Sequence, residues 1–313
     1  MSEPVFGPVP SRRLGRSLGV NNVIGKTCSY NCIYCQAGRT RELTIKRRKF
    51  YDPEWLVDRV LHRISELERN SEKIDYVTFV PNGEPSLDVN IGREAQAIKE
   101  TGLRTAVISN GSLLWMEDVR SDLGVFDLVS VKVDAVTPRL WRRINRPHPD
   151  LEIKKIIEGI KQFSSGYRGV LITETMLLGN IDYSEEASRI AEVLEAIDPD
   201  KAYIMVPVRP PAERYVRPPS SHTLLMVYEA VRSRLGDRVV VLQRPEEGGF
   251  TALGDLEKEI LSIISVHPLR IDQIEEIIRR RDGSMDVVEE LVEKGFAEIV
   301  VYNGREYIVR KTS

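Results

Sequence analysis

The sequence predicts an α/β protein built on a parallel sheet, with a small second domain at its C-terminal end. Three observations carry this expectation. Apolar runs of strand length alternate about six times with helix-period segments between residues 17 and 243. Several of those runs are nearly continuous in β-branched residues, as strands covered on both faces are. Past Gly248-Gly249 the alternation stops, and short helical segments lead into a hairpin.

Taken in order, residues 17–24 form the first strand, and a helix follows over 53–68. That helix starts well, because Asp52 precedes Pro53, whose fixed φ suits a first turn. Next come a strand over 74–80, a helix over 94–101, and strands over 105–109 and 128–133. Helices over 138–144 and 153–163 lead to a strand over 169–177. Ser184 opens the helix 184–197, with Glu185 and Glu186 in the first turn where the helix dipole favours them. A strand over 202–208, a helix over 221–235 and a strand over 239–242 complete the alternation. The pattern fits a closed barrel or an open sheet equally well.

The expected second domain spans 255–313, after a first domain of 1–250. Its helices cover 256–266, 271–281 and 284–294, and its strands 297–302 and 306–309. Asn303-Gly304 joins the two strands, a dipeptide that favours a tight hairpin. Three helices and a terminal hairpin resemble a winged-helix module.

Composition sets limits on function. The 313 residues are 42% hydrophobic and 29% charged, with a formal net charge of −2. Such a balance exerts no global attraction on nucleic acid or anionic membrane, so any affinity for either rests on local patches. The start, MSEPVFGPVPSRRLG, lacks the apolar stretch of a secretory signal, and no run of 18 apolar residues occurs. A cytoplasmic protein with no membrane partner is expected.

Cysteine usage is more specific. The chain has three cysteines, Cys28, Cys32 and Cys35, all within the segment Cys28-Ser-Tyr-Asn-Cys32-Ile-Tyr34-Cys35. An odd, clustered set without an export signal is a poor disulfide framework, whereas thiolates this close on one loop suit a soft metal. Three ligands leave one iron of a four-iron cluster open to a further ligand. The alternatives are a chance grouping of cysteines and structural zinc, which usually takes four ligands. The four histidines, His62, His148, His222 and His267, stand too far along the chain to suggest the fourth.

The C-x3-C-x2-C spacing, with Tyr34 before the last cysteine, resembles the motif of the radical S-adenosylmethionine (SAM) superfamily. The resemblance covers about residues 6–245. It implies a partial (β/α)6 TIM-type barrel, a [4Fe-4S] cluster on Cys28, Cys32 and Cys35, and SAM as second cofactor. Asn82-Gly83-Glu84-Pro85 resembles the family element that holds the amino group of SAM's methionine moiety; glycine permits close approach and a carboxylate complements an ammonium. Ser109 and Asn110, at a strand end, resemble contacts to the SAM ribose and carboxylate; Ser and Asn also suit an ordinary turn. Lys132 and Asp134 share one face of an apolar strand and are expected to point into a polar centre that receives SAM or substrate. Glu174, Thr175 and Val206 follow on later strands, Val206 resembling the apolar shelf under adenine. The implied reaction is one-electron cleavage of SAM to a 5′-deoxyadenosyl radical that abstracts a substrate hydrogen. An external ferredoxin- or flavodoxin-like electron donor is implied with it.

The segment from Phe6 to Gly19, with Cys35-Gln36-Ala37-Gly38-Arg39-Thr40, is similar to a prokaryotic, largely archaeal group near the wyosine synthases of transfer RNA. Those synthases carry a second cluster, and no cysteine remains here to form one. Their condensation chemistry is therefore not transferred. Arg12, Arg13 and Arg209 are candidate substrate contacts, and basic residues also cluster at 39–49, 139–146 and 209–217, where they fit either phosphate binding or plain solvated charge.

The C-terminal module is a poor phosphate binder. From Glu257 onward it holds 12 acidic and 9 basic residues, a net of −3. A role in docking protein or presenting substrate suits it better than nucleic-acid binding. The leading expectation is a radical SAM enzyme acting on tRNA or a protein. The alternatives are a small phosphorylated metabolite or cofactor precursor as substrate, and a metal- or redox-sensing winged-helix regulator.

Overall fold

The structure is a computed structural model and describes residues 3–246 and 249–311. The outer expected domain limits, Met1 and Ser313, lie outside the described residues, as does Gly248, where the alternation was expected to stop. The chain runs β1 (Val5–Ser11), β2 (Gly15–Val20), β3 (Thr27–Cys28), β4 (Glu42–Leu43), α1 (Pro53–Arg69), β5 (Tyr76–Phe79) and α2 (Ile91–Lys99). It continues through β6 (Thr105–Ser109), α3 (Glu117–Leu123), β7 (Leu128–Lys132), α4 (Pro138–Asn145), α5 (Ile153–Gly166) and β8 (Val170–Met176). Then follow α6 (Glu186–Ile197), β9 (Lys201–Met205), α7 (Ser221–Leu235) and β10 (Val239–Leu242). The C-terminal part is α8 (Leu256–Ile264), β11 (Leu269–Arg270), α9 (Ile271–Arg279), α10 (Asp286–Glu293), β12 (Ala297–Tyr302) and β13 (Arg305–Arg310).

The main sheet has the order β1-β2-β5-β6-β7-β8-β9-β10, parallel throughout except for β1 against β2. Each parallel neighbour is the next long strand in sequence. Right-handed crossovers then put every connecting helix on the same side, unlike a doubly wound sheet whose order reverses at a switch point. This is the α/β architecture of a partial barrel, left open because β1 and β10 do not meet. The core stacks strand residues such as Leu18, Val77, Val107, Val129 and Ile204 against the helices, all at or near zero exposure.

β1 was not expected. Its sequence VFGPVPS breaks the strand pattern with Gly7, Pro8 and Pro10. An edge strand tolerates proline because half its N–H groups have no partner to lose. β1 also joins two cores: Phe6 and Val9 pack with Ile260, Ile263, Ile277 and Leu291 of the C-terminal helices. Arg63 of α1 ties the same seam, donating to the Gly7 carbonyl (2.9 Å) and pairing with Glu259 of α8 (2.8 Å).

Local signals mostly acted as expected. The Asp52 side chain accepts from Trp55 N at 3.3 Å and caps α1. Ser184 does not open α6; its N–H donates to Asp182, and Glu185 is the N-cap residue, without a side-chain cap. The competing local turn at Asp182 took the serine. The short α3 was also not foreseen. Asn303 and Gly304 both have positive φ (50° and 74°), as the tight hairpin requires. β11, β13 and β12 form a three-stranded sheet in that order. Among the described residues, no helix is long and apolar enough to cross a membrane.

Candidate functional site

The cysteine segment leaves β3, which pairs in parallel with β4 as a small flap. It is then pinned to the end of α4, where Asn31 N donates to Asn145 O and Ile33 N to Ile144 O, both at 3.0 Å. Trp141 Nε1 donates to the Tyr30 hydroxyl at 3.1 Å, the rings meeting edge to face. A polar loop is thus held rigid by a helix terminus, whose last carbonyls need donors.

Each sulfur faces its own nitrogen donor from a different part of the fold. Asn110 Nδ2 lies 3.7 Å from Cys28 Sγ, Asn145 Nδ2 3.4 Å from Cys32 Sγ, and Lys26 Nζ 3.1 Å from Cys35 Sγ. Among the described residues no three His, Cys, Asp or Glu side chains converge on a single ion. A four-iron cluster does not need them to, since each thiolate takes a separate iron. Burial pushes the Cys28 thiol up to about 11 and that of Cys32 higher still. A bound cluster would take these sulfurs as thiolates, whose negative charge the buried N–H donors would steady. The donor set fits an iron–sulfur cluster.

Lys26 was missed from sequence. It is 6% exposed, and Cys35 is the side-chain partner of its ammonium. Burial opposes the charge, but the neighbouring cysteines outweigh burial and raise its pKa. Its position two residues before Cys28 was the available signal. Asn145 was missed too, hidden in what read as a basic surface run.

Gly83 is explained by packing. A Cβ there would sit 1.9 Å from the Thr27 carbonyl oxygen, and Glu84 N donates to that same oxygen at 3.1 Å. The close approach is thus to the strand that ends in Cys28. Glu84, 1% exposed, accepts at Oε1 from Ser86 N (3.1 Å), Ser86 Oγ (2.6 Å) and Ser109 Oγ (2.7 Å), and at Oε2 from Asn110 N (2.8 Å). Pro85 opens a short 3-10 turn behind it. Asn110 in turn donates to Ser29 Oγ at 2.8 Å. The expected SAM contacts on these two strand ends therefore form one knot with the cysteine loop. Nearby, the side-chain oxygens of Asn21, Asn22 and Asn82 are buried without a partner.

Asp134, also buried, accepts from the Tyr34 hydroxyl, from Asn145 Nδ2 (2.7 Å) and from Met176 N (2.9 Å). It orients both the aromatic of the motif and the amide that faces Cys32. Glu174 is 1% exposed and lies between Arg13 and Lys132 (2.5 Å), with Ser130 Oγ at 2.6 Å. Burial alone would raise it, but the two cations hold it down at about 2. Thr175 Oγ1 is spent on the Val133 carbonyl.

Arg12 and Arg209 both engage Glu246, Arg12 at 3.0 Å. Arg209 also donates to Gln36 Oε1 (2.7 Å), and Gln36 Nε2 to the Val266 carbonyl (2.9 Å). Burial and the neighbouring Arg13 lower Arg12 to about 10, and burial with Arg12 and Arg13 lowers Arg209 to about 9. The residue after Cys35 is thereby wired to the C-terminal part. Val206 lines a cavity of about 350 Å³ with Arg305 and Tyr307 of β13. Much of the basic sequence is plain ion pairing: Arg39 and Arg146 share Glu213, and Arg47 pairs with Asp118 and Asp122.

A family model described as the Radical SAM superfamily matches residues 22–194. A UPF0026 protein of Methanocaldococcus jannaschii is 44% identical over 307 residues, which is 97% of this chain and 95% of that relative. A UPF0026 protein of Synechocystis sp. is 35% identical over 269 residues, 85% of this chain and 95% of the relative. Among solved structures, that of TYW1 with a lysine-pyruvate adduct bound shares the fold with a TM-score of 0.53, at 19% identity, over 70% of this chain and 73% of that one.

Proposed function

This chain belongs to the radical SAM superfamily, an enzyme class that works with a [4Fe-4S] cluster and SAM, and from that premise we propose the finer assignment. Cys28, Cys32 and Cys35 hold a single cluster, since the sequence contains no further cysteine. When bound at these cysteines, the cluster would supply one-electron cleavage of SAM for radical chemistry, with tRNA or a protein as the candidate substrate. The observation that carries this reading is the separate nitrogen donor facing each of the three sulfurs.

The chain's own residues then have distinct work. Glu84 locks the ends of β5 and β6 together, so that Gly83, Pro85, Ser109 and Asn110 present a fixed rim beside Cys28. The unpartnered amide oxygens of Asn21, Asn22 and Asn82 are acceptors suited to an ammonium such as that of SAM's methionine moiety. Asp134 holds Tyr34 and Asn145 in place. Lys132 and Glu174 form a charge pair across β7 and β8, and Val206 offers an apolar surface at the end of β9. Arg12, Arg13 and Arg209 are the candidate contacts for an anionic group of the substrate. A ferredoxin- or flavodoxin-like protein is the electron donor. The order α8, β11, α9, α10, β12, β13 supports reading the C-terminal part as a winged-helix-like module.

The test is anaerobic reconstitution with iron and sulfide, followed by SAM and dithionite. Formation of 5′-deoxyadenosine that disappears when any of the three cysteines becomes alanine is the expected result. A tightly held zinc and no SAM cleavage would overturn the reading in favour of a winged-helix regulator.

A further inference from the structure

A cavity of about 1190 Å³ runs between the cysteine loop and the C-terminal hairpin, with Cys35 and Gln36 in one wall and residues 298–303 in the other. Side chains of a strand alternate between its two faces. A groove that touches consecutive residues of β12 therefore follows the strand's edge. That edge is open: β12 is terminal in its three-stranded sheet and pairs with β13 alone.

The register shows which backbone groups look into the groove. Tyr302 faces Arg305 across the two-residue turn, Val300 faces Tyr307, and Glu298 faces Val309. Residues flanking a two-residue turn are hydrogen-bonded to each other, and such pairs alternate along the ladder. The N–H and C=O of Ile299 and Val301 therefore point away from β13. No other described residue takes a backbone hydrogen bond from them. Their side chains are 49% and 71% exposed, apolar, and two residues apart. Arg39, Arg214, Arg217 and Arg310 line the groove against Glu213 and Glu298, and Glu213 is already held by Arg39 and Arg146.

We propose that this groove is the binding site of the substrate, an extended acidic polypeptide segment that adds as a strand to the free edge of β12 and so passes Cys35. This rests on the assignment of Cys28, Cys32 and Cys35 as the reaction centre. An added strand satisfies the outward N–H and C=O groups as a ladder does, while alternate side chains meet Ile299 and Val301. Acidic side chains answer the arginine surplus. A phosphate backbone would also answer the charge, but it has no N–H to give the outward carbonyls. The observations therefore favour a protein over RNA.

The probes are three fluorescent oligomers, binding to the reconstituted full-length enzyme by anisotropy. One is a short peptide alternating valine and glutamate, one has lysine in place of glutamate, and one is an oligouridylate. The glutamate peptide is expected to bind best. Val301→Pro removes one outward N–H without touching the pairing with β13, and should weaken that peptide about tenfold, whereas Val301→Ala keeps the N–H and should change little. Arg214→Glu with Arg217→Glu should weaken it comparably, and carries the test if the proline variant does not fold. Equal binding by Val301→Pro, or preference for the lysine peptide or the oligouridylate, overturns the proposal. SAM cleavage without substrate, followed in parallel, reports on the reaction centre separately: peptide binding without cleavage leaves the docking site standing and the enzymatic reading refuted.

Discussion

Replacing Glu174 by glutamine removes the one carboxylate that separates two cations in the middle of the sheet. Glu174 is 1% exposed and its partners Arg13 and Lys132 are 15% and 21% exposed, so surface screening discounts the pair little. In the fold its pKa is held near 2 against an ordinary 4.5. A carboxyl group depressed in this way contributes stability above its unfolded pKa and loses it as the pH falls through the folded one. The gap of 4.5 minus 2 corresponds to about 3 kcal/mol, present above pH 4.5 and gone near pH 2. Urea unfolding of the cofactor-free chain and of Glu174→Gln, repeated between these limits, measures it. The stability difference should be about 3 kcal/mol at neutral pH, because Arg13 and Lys132 then lose the carboxylate they share, Lys132 keeping only the attraction of Asp134, and should shrink on acidification. A difference that stays flat with pH, or a variant as stable as the parent at neutral pH, would refute the reasoning.

Three further outcomes are expected. Alanine at Cys28, Cys32 or Cys35 should abolish iron retention after anaerobic reconstitution, read as iron per chain and visible absorbance. Lys26→Met removes the ammonium 3.1 Å from Cys35 Sγ and should weaken iron retention about 10–100-fold, the usual loss when a group supporting a metal ligand is removed, measured by chelator competition. Gly83→Ala puts a methyl 1.9 Å from the Thr27 carbonyl; the displaced flap should lower stability by about 1–3 kcal/mol and reduce iron loading as well, whereas a variant with unchanged melting temperature and iron content would show that the flap adapts.

Much of the fold was legible because its signals are local. β6 and β10 fell on the apolar runs 105–109 and 239–242, and the Asn303-Gly304 hairpin on its dipeptide. β1 was not, since proline and glycine lower strand propensity and only the free edge of the finished sheet makes them tolerable. The barrel-like path of the sheet came from a family resemblance, because the alternation of strands and helices fits an open sheet equally well.

For the site, the sequence by itself singled out Cys28, Cys32 and Cys35 as the proposed cluster ligands. Three cysteines on one loop are a covalent fact with few competing readings. It also marked the strand-end residues Gly83, Glu84, Ser109, Asn110, Lys132, Asp134 and Glu174. Only the tertiary structure decided their partners: that Glu84 is spent on Ser86, Ser109 and Asn110, that Glu174 joins Arg13 to Lys132, and that Lys26, Asn110 and Asn145 each face one sulfur. Asn145 lies 113 positions from Cys32 in sequence. No spacing rule reaches that far, because such a contact arises from how β7, α4 and the cysteine loop pack, and packing is a property of the whole chain.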